Sequence, residues 1–257
     1  MNAPTMAELA AEGKKADILF FVGCAGSYDD RAIKITKAFV KILNKAGVNF
    51  AILGAEETCA GEPAKRAGNE MLFQMQAMMN IEVFNMYEVK KIVTASPHAF
   101  NTLKNEYPEL GGKYEVLHHT QFINELIESG QLKLESASFK GKRISYHDPC
   151  YLGRANSEYE APRNVLRQLN VQLVEAANTK STSTCCGAGG AQMFKDAEKG
   201  EREIFEKRTD EMLELKPQII ATACEFCNTM LTDGVKMQEK EGDIEVLDIA
   251  EIIARDL

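Results

Sequence analysis

The sequence of 257 residues lacks several features that would assign it to particular functional classes. It has no run of about 18 apolar residues, so we expect no membrane span. Its 30 basic residues are outnumbered by 38 acidic ones, and the net charge of −8 disfavours non-specific nucleic-acid binding. No apolar signal peptide opens the chain, and its clustered cysteines are interpreted as reduced, which together predict a cytoplasmic protein.

A nucleotide-binding fingerprint is absent as well. A G-x-G-x-x-G at a strand–helix turn would indicate nicotinamide or flavin binding, and no such turn carries one. The stretch Gly187-Ala188-Gly189-Gly190 follows a pair of cysteines, and we assign it to the site that those cysteines form. If this chain transfers electrons, we expect them to come from a partner.

The second half of the sequence is rich in cysteine. Five of the seven cysteines fall into one C-x34-C-C-x37-C-x2-C pattern. They occur in the segments His147-Asp148-Pro149-Cys150, Cys185-Cys186-Gly187 and Cys224-Glu225-Phe226-Cys227. A disulfide framework, a structural zinc site and an iron–sulfur cluster are the three roles to weigh.

The chain length and the cysteine spacing favour the iron–sulfur cluster. Disulfide frameworks suit small secreted domains, whereas a chain of 257 residues can bury a core without cross-links. Zinc takes four tetrahedral ligands, and the adjacent Cys185 and Cys186 can hardly both reach one ion. Several irons would give adjacent thiolates different atoms to bind, and thiolates are the usual ligands of such clusters. The glycines after the pair would let backbone N–H groups approach the sulfur atoms.

Apolar runs followed by helical periodicity predict an α/β fold. In the first half, the predicted strands are 17–22, 48–53, 91–95 and one that runs up to His118-His119, and the predicted helices are 4–13, 29–45, 63–79 and 121–129. Methionines recur at helical spacing in helix 63–79 and are interpreted as mostly core residues rather than as a partner surface. These are Met71, Met75, Met78 and Met79.

The second half repeats the first. Its predicted strands are 143–146, 171–174 and 218–222, and its predicted helices are 162–169 and 198–215. Cys24 and Cys59 are separated by the same number of residues as Cys150 and Cys185. We therefore predict two pseudo-symmetric, Rossmann-like α/β units from an internal duplication, each a small, mostly parallel sheet flanked by helices. The boundary falls in a polar stretch, so that the first unit covers residues 1–135 and the second covers 136–257.

The first unit lacks most of the thiols of the second. Cys24 and Cys59 correspond to Cys150 and Cys185, whereas Ala60, Ser96 and Ala99 occupy the positions of Cys186, Cys224 and Cys227. Serine oxygen is a weaker ligand for iron than thiolate, and alanine is none. A single metal ion on Cys24, Cys59 and His98 with Glu57 or Glu62 is one alternative for this unit. A packed vestige with free thiols, a docking surface and a substrate pocket are the others.

The cysteine pattern resembles that of a known family, and two further stretches share the resemblance. They are His147-Asp148-Pro149-Cys150-Tyr151-Leu152-Gly153-Arg154 and Glu160-Ala161-Pro162-Arg163. Together they resemble the cysteine-rich CCG domain of the B subunit of heterodisulfide reductase and its relatives, over nearly the whole chain. The resemblance implies one non-cubane [4Fe-4S] cluster per chain, bound in the second unit by Cys150, Cys185, Cys186, Cys224 and Cys227. It also implies that the incomplete first unit holds no cluster of this type.

The resemblance further implies an iron–sulfur oxidoreductase subunit that performs electron transfer or thiol/disulfide chemistry, with a thiol/disulfide couple or a quinone as acceptor. The implied partner is a ferredoxin-type polypeptide resembling the C subunit of heterodisulfide reductase, or a flavoprotein. With one cluster in place of two facing clusters, the two-cluster mechanism for splitting a mixed disulfide is put in doubt. The alternative is a non-catalytic electron-transfer or assembly module with a structural zinc site.

Several polar residues near the motif have competing interpretations. His147 is the candidate catalytic residue, as a proton donor or as a hydrogen-bond partner of the cluster, and the alternative is a structural loop histidine. Arg154 and Arg163 would raise the cluster potential or bind an acidic substrate, unless they are solvated surface residues. The adjacent His118 and His119 are interpreted as structural, although they also resemble a stretch of the family.

Overall fold

The computed structural model describes residues 3–135, 138–196 and 200–257. Within these ranges eight strands form two all-parallel sheets of four strands each. The first sheet comprises β1 (Ile18–Phe21), β2 (Phe50–Ala51), β3 (Lys91–Thr94) and β4 (Glu115–His118), in the spatial order β2-β1-β3-β4. The second comprises β5 (Arg143–Tyr146), β6 (Gln172–Val174), β7 (Ile219–Thr222) and β8 (Glu245–Asp248), in the order β6-β5-β7-β8. The matching orders confirm the predicted pair of duplicated α/β units.

The inner strands are buried on both of their faces. All four residues of β1 are buried, and so are all four of β7. A parallel sheet covered by helices needs apolar side chains at successive positions, which explains why these strands read as continuous apolar runs. The predicted strands 17–22, 91–95, 143–146 and 218–222 are all present with small shifts at their ends, whereas 48–53 shrinks to β2.

Helices cover the sheets, and the predicted helix 4–13 is present as the shorter α1 (Met6–Ala11). Thr5 caps this helix by a capping box, in which its hydroxyl accepts the Glu8 N–H while the Glu8 carboxylate accepts the Thr5 N–H. The helices in the described ranges are α1 (Met6–Ala11), α2 (Gly23–Tyr28), α3 (Ala32–Lys45), α4 (Glu62–Arg66), α5 (Glu70–Met86), α6 (Pro97–Asn101), α7 (His119–Glu128), α8 (Glu160–Gln168), α9 (Ile204–Leu213), α10 (Glu225–Met237) and α11 (Ile249–Asp256). No helix in these ranges combines the length and the apolar character needed to cross a bilayer.

The predicted helix 63–79 is wrong as one continuous element. Helix α4 ends at Arg66, and the chain turns at Gly68. The φ of Gly68 is +87°, a left-handed conformation that glycine adopts readily. Asn69 then caps α5 by accepting the N–H of Leu72. The Gly-Asn pair is therefore a stop signal followed by a start signal, and the helix that follows runs on to Met86.

The interpretation of the α5 methionines as core residues is also wrong. Met71, Met75, Met78 and Met79 have exposed fractions of 76%, 57%, 61% and 52%. The buried face of the helix instead carries Phe73, Ala77, Asn80, Ile81 and Phe84. Because the helix is apolar on more than one side, periodicity alone did not reveal which side faces the core.

Three further boundaries differ from prediction. The segment after β1 forms α2 where a loop was predicted, and α3 begins three residues later than predicted, at Ala32, where Asp29 accepts two backbone N–H groups. The predicted helix 198–215 corresponds to α9, and its predicted first residue, Glu198, lies outside the described residues. Residues 136 and 137, at the predicted domain boundary, also lie outside them. Strand β8 and helix α11 were not predicted.

One apolar core joins the two units. It contains Phe39 of α3, Ile144 of β5 and Ile253 of α11, and therefore draws on both halves of the chain. Helix α3 packs against α11, and α8 packs against α7. Helix α8 of the second unit is the counterpart of α3 in the first, and α11 is the counterpart of α7. The α3–α11 contact and the α8–α7 contact are therefore equivalent. The units are thus related by pseudo-two-fold symmetry.

Candidate metal centre

The five cysteines of the second unit lie beyond the carboxyl ends of its strands. Cys150 follows β5, Cys185 and Cys186 lie in the connection after β6, and Cys224 is the residue before α10. Cys227 occupies the first turn of that helix. Because parallel strands end at the same edge of a sheet, loops that are distant in sequence meet there.

The sulfur atoms of these cysteines are linked by a continuous series of interactions. Cys150 interacts with Cys185, which interacts with its neighbour Cys186, and Cys224 interacts with Cys227. The Sγ atoms of Cys186 and Cys227 lie 3.1 Å apart and join the two groups. All of these cysteines are free thiols. The structure therefore brings the five predicted ligands together.

The contacts divide the five sulfurs into two kinds. Neighbouring thiols donate to Cys185 and lower its pKa to about 2 in spite of burial, and the N–H of Gly187 donates to the same sulfur over 3.3 Å. Burial opposes ionisation of Cys224, but hydrogen bonds from a neighbouring thiol and from His98 lower its pKa to about 5. Cys150, Cys186 and Cys227 each donate a hydrogen bond to a neighbouring sulfur, which together with burial raises the pKa of these three thiols. Since metal ligands are thiolates, metal binding here must release protons.

His147 lies close to these sulfurs and is buried. One of its ring nitrogens and the sulfurs of Cys186 and Cys227 all lie within 4.8 Å of one another. Arg208 Nε donates to His147 Nδ1 over 3.1 Å, and since a guanidinium cannot accept, the ring proton must be on Nε2. Burial, followed by the charge of Arg208, lowers the pKa of His147 to about 3. The ring is therefore neutral near pH 7 and offers one N–H donor.

Arg208 is a site residue that the sequence analysis missed. Its side chain is fully buried in α9, where it also donates to Glu211 Oε2 over 2.8 Å and to the Asn178 carbonyl over 3.1 Å. In sequence it stands among many charged residues of a charged helix. No local signal distinguishes it from its solvated neighbours.

His98, which belongs to the first unit, reaches the cysteines of the second. It hydrogen-bonds to Cys224, and its Nδ1 lies 3.2 Å from Glu62 Oε1. Its ring centroid lies 4.5 Å from that of Tyr151 and 4.9 Å from that of Phe226. Burial disfavours the charged ring, but its interactions with the Cys224 thiol and the Glu62 carboxylate outweigh burial and raise the pKa of His98 to about 10. The incomplete unit thus contributes a cationic donor to the complete one.

The first unit keeps a pair of thiols, with the Sγ atoms of Cys24 and Cys59 at 3.8 Å. Ser96, at the position of Cys224, accepts the Ala99 N–H over 3.3 Å and caps α6. Among the described residues, the ligand atoms of the pair do not meet those of His98, Glu57 or Glu62 in a group of three within 4.8 Å. The single-ion site that was one alternative for this unit is therefore not assembled.

Arg163 fixes the loop that carries Cys150. Its side chain is fully buried, and it donates to the two carboxylate oxygens of Asp148 over 2.7 and 2.8 Å. It also donates to both oxygens of Glu175 over 2.7 Å. Such bidentate pairs fix orientation as well as charge. Arg163 is therefore a structural clamp between α8 and the loop after β5, not a solvated arginine.

The remaining polar candidates also have structural contacts. Arg154 donates to the Ser183 carbonyl over 2.5 Å and holds the segment before Cys185. His118 caps α7, and His119 Nε2 lies 2.9 Å from Asp248 Oδ1 of the second unit. Both histidines are fully buried, which agrees with their structural interpretation.

A cavity of about 390 Å³ opens beside Cys24 at the junction of the two units. Its walls include Tyr28 of the first unit and Phe194, Glu225 and Phe226 of the second. Clefts of this size accommodate small molecules. A small ligand in it would contact the Cys24 thiol.

Two all-parallel α/β units, one of which gathers five thiols at the edge of its sheet, define a duplicated protein of the cysteine-rich class. The chain belongs to the CCG cysteine-rich domain family, whose domain matches residues 18–104 and again residues 144–232. The match to both units confirms the family resemblance seen in the sequence.

Several curated proteins are similar to this chain over nearly its whole length. The probable iron-sulfur-binding oxidoreductase FadF of Bacillus subtilis is 46% identical over 98% of this chain and 36% of its own length. The EtfAB:quinone oxidoreductase of Syntrophomonas wolfei is 44% identical over 95% of this chain and 35% of its own length. The D subunit of the dihydromethanophenazine:CoB--CoM heterodisulfide reductase of Methanosarcina barkeri is 36% identical over 95% of this chain and 59% of its own length. The chain thus spans about a third of the first two relatives.

Proposed function

We propose that this chain is an iron–sulfur oxidoreductase subunit of the heterodisulfide reductase type. The observation that carries the proposal is the continuous series of five thiols in the second unit, beside a first unit that keeps only Cys24 and Cys59. The family match supports it, as do relatives named as an iron–sulfur oxidoreductase and as a heterodisulfide reductase subunit. From its five-cysteine pattern we propose the B-subunit type, although the similar Methanosarcina barkeri protein is named a D subunit.

The donor set suits an iron–sulfur core better than a single zinc ion. Only two of the five sulfurs gather with His147 within 4.8 Å, among the residues that the structure describes. Zinc needs four donors around one point, whereas several irons can engage an extended series of thiolates. The proposed group is one non-cubane [4Fe-4S] cluster per chain, which when bound would take up and release single electrons. Its ligands would be Cys150, Cys185, Cys186, Cys224 and Cys227.

The surrounding residues stabilise negative charge on these sulfurs and limit their access to water. Gly187 and His98 donate to Cys185 and Cys224, and the burial of three of the five thiols excludes bulk solvent. Arg208 holds the His147 ring with its proton on Nε2, so we propose that His147 acts as a fixed hydrogen-bond donor toward sulfur. Hydrogen bonds to sulfur and nearby positive charge both raise the reduction potential of such a centre.

The proposed single cluster also bears on the electron acceptor and on the electron-donating partners of this chain. A single cluster suits the transfer of electrons to the disulfide of a thiol/disulfide couple or to a quinone, and one relative is named a quinone oxidoreductase. Electrons would arrive from a ferredoxin-type polypeptide resembling the C subunit of heterodisulfide reductase, or from a flavoprotein. We propose a cytoplasmic location for this unit.

Anaerobic reconstitution with iron and sulfide tests the proposal. We expect about four irons and four acid-labile sulfides per chain, with a brown colour that bleaches on reduction. Cys186→Ser removes a buried sulfur at the centre of the series and should abolish most iron binding. Cys59→Ser is the matched control, because it changes a thiol at the equivalent edge of the first unit and should leave the iron content unchanged.

Three results would contradict the proposal. Equal loss of iron from both variants would contradict the assignment of the cluster to the second unit. About eight irons per chain would mean that the first unit also holds a cluster. A colourless protein with one zinc ion would favour the structural alternative.

A further inference from the structure

The cysteine pair of the first unit has no role in the proposed metal centre. Cys24 Sγ and Cys59 Sγ lie 3.8 Å apart, which is contact distance for two sulfur atoms. Contact with Cys24 lowers the pKa of Cys59 to about 7 in spite of burial, and the Gly61 N–H, 3.5 Å from the Cys59 sulfur, acts in the same direction. Near neutral pH the two sulfurs therefore share a single proton for part of the time.

The loops that carry the pair are fixed to one another. The Glu57 carboxylate, from the loop of Cys59, accepts the N–H of Gly23 over 2.6 Å, directly before Cys24. Asn80 Nδ2 donates to the Cys59 carbonyl over 3.1 Å from the buried face of α5. The contact between the two thiols is therefore maintained by anchored backbone on both sides.

The two thiols differ in their access to solvent. Cys24 is exposed and lines the cavity of about 390 Å³, together with Tyr28, Phe194 and Phe226. Cys59 is half-buried and does not line that cavity. A molecule entering from solvent would thus meet Cys24 first, with Cys59 directly behind it. An exposed attacking thiol with a second thiol in contact is the arrangement that thiol–disulfide exchange requires.

We propose that Cys24 and Cys59 form a redox-active dithiol that exchanges with a low-molecular-weight disulfide bound in this cavity. The Cys24 thiol passes its proton to the Cys59 thiolate as the Cys24 sulfur attacks one sulfur of the small disulfide, whose S–S bond breaks, and the leaving half then takes that proton from Cys59. The Cys59 thiolate then attacks the Cys24 sulfur, which forms the protein disulfide and releases the second half as a thiolate. The small disulfide gains two electrons and the protein pair loses two. The reverse steps reduce the pair.

This couple is independent of the metal centre, because none of its steps uses a sulfur of the second unit. The reconstituted protein is incubated anaerobically with oxidised glutathione, free thiols are then alkylated, and the peptides are identified by mass spectrometry. We expect a Cys24–Cys59 linkage in the wild-type chain with unchanged iron content. Cys59→Ser, which lacks the second thiol, should accumulate a glutathione adduct on Cys24. Cys24→Ser should form an adduct on Cys59 roughly tenfold more slowly, because that sulfur lies behind the cavity.

Cys186→Ser separates this proposal from the preceding one. The variant should lose iron while still forming the Cys24–Cys59 linkage, so a failure of either proposal shows in its own measurement. Two results would overturn the proposal that Cys24 and Cys59 form a redox-active dithiol. One is full alkylation of both thiols in the wild-type chain after a large excess of oxidised glutathione. The other is loss of iron from Cys24→Ser and Cys59→Ser, which would assign the pair to a metal.

Discussion

At the scale of single residues, the partner of a charged side chain decides what it does. Arg163 and Arg167 lie one turn apart on α8, yet the first is fully buried between carboxylates and the second is about half exposed. The sequence motif containing Arg163 suggested a charge beside the metal centre or on the surface. The structure instead makes it the clamp that orients the Asp148 loop, and so indirectly Cys150.

Replacing Arg163 should destabilise the whole chain. Arg163→Gln leaves the buried Asp148 carboxylate without its bidentate partner, and breaking such a pair typically costs about 3–5 kcal/mol in the free energy of unfolding. Urea denaturation of the two proteins measures the change. Arg167→Gln on the same helix is the control and should stay within about 0.5 kcal/mol of wild type. Similar values for the two variants would show that the clamp contributes little.

At the scale of elements, α5 shows how a helix can be placed correctly and still be oriented wrongly. Its methionines are exposed, while Phe84 on the opposite face is fully buried and packs edge-on against Tyr114 at a ring-centroid distance of 5.3 Å. Apolar side chains on both faces remove the contrast from which burial is usually inferred. The methionine face is therefore an exposed apolar surface, and no part of the described chain covers it.

Substitutions on the two faces of α5 should show whether its methionines lie on an exposed face or in the core. Met75→Lys and Met78→Lys preserve helix propensity on an exposed face and should change the free energy of unfolding by less than about 0.5 kcal/mol. Phe84→Ala opens a cavity in the core and should cost about 3–5 kcal/mol. Urea denaturation monitored by circular dichroism compares the three. A loss above about 2 kcal/mol for either lysine variant would restore the core interpretation.

At the scale of the whole molecule, the duplicated units share one core. The pairs α3–α11 and α7–α8 bury apolar faces between them, and His119 hydrogen-bonds to Asp248 across the junction. The division at residues 135 and 136, which we retain as a proposal, is thus a division of sequence repeats. It does not separate two independent cores.

The second unit should therefore not fold alone. A fragment of residues 138–257 would expose the faces of α8 and α11 that the first unit covers, and such exposure favours a loosely packed state. We expect the fragment to lose near-ultraviolet circular dichroism, bind a hydrophobic dye and unfold without a cooperative transition. The full-length chain under the same conditions is the control. A sharp urea transition for the fragment would show that the second unit is autonomous.

The sequence by itself determined the repeat, the inner strands and the set of thiols, because these depend on local pattern and on residue identity. Buried parallel strands require consecutive apolar residues, so β1, β3, β5 and β7 could be located closely. The missing thiols of the first unit could likewise be counted from the repeat. The same information could not place a side chain against a partner that is distant in the chain.

Only the tertiary structure decided which distant residues meet within each unit and across the junction between them. The contacts of His98 with Cys224, of Arg208 with His147 and of Cys24 with Cys59 all join segments far apart in sequence. They exist because parallel strands bring their loops to one edge and because the pseudo-two-fold axis turns the two edges toward each other. No local propensity encodes that approach, since it depends on how two complete units pack.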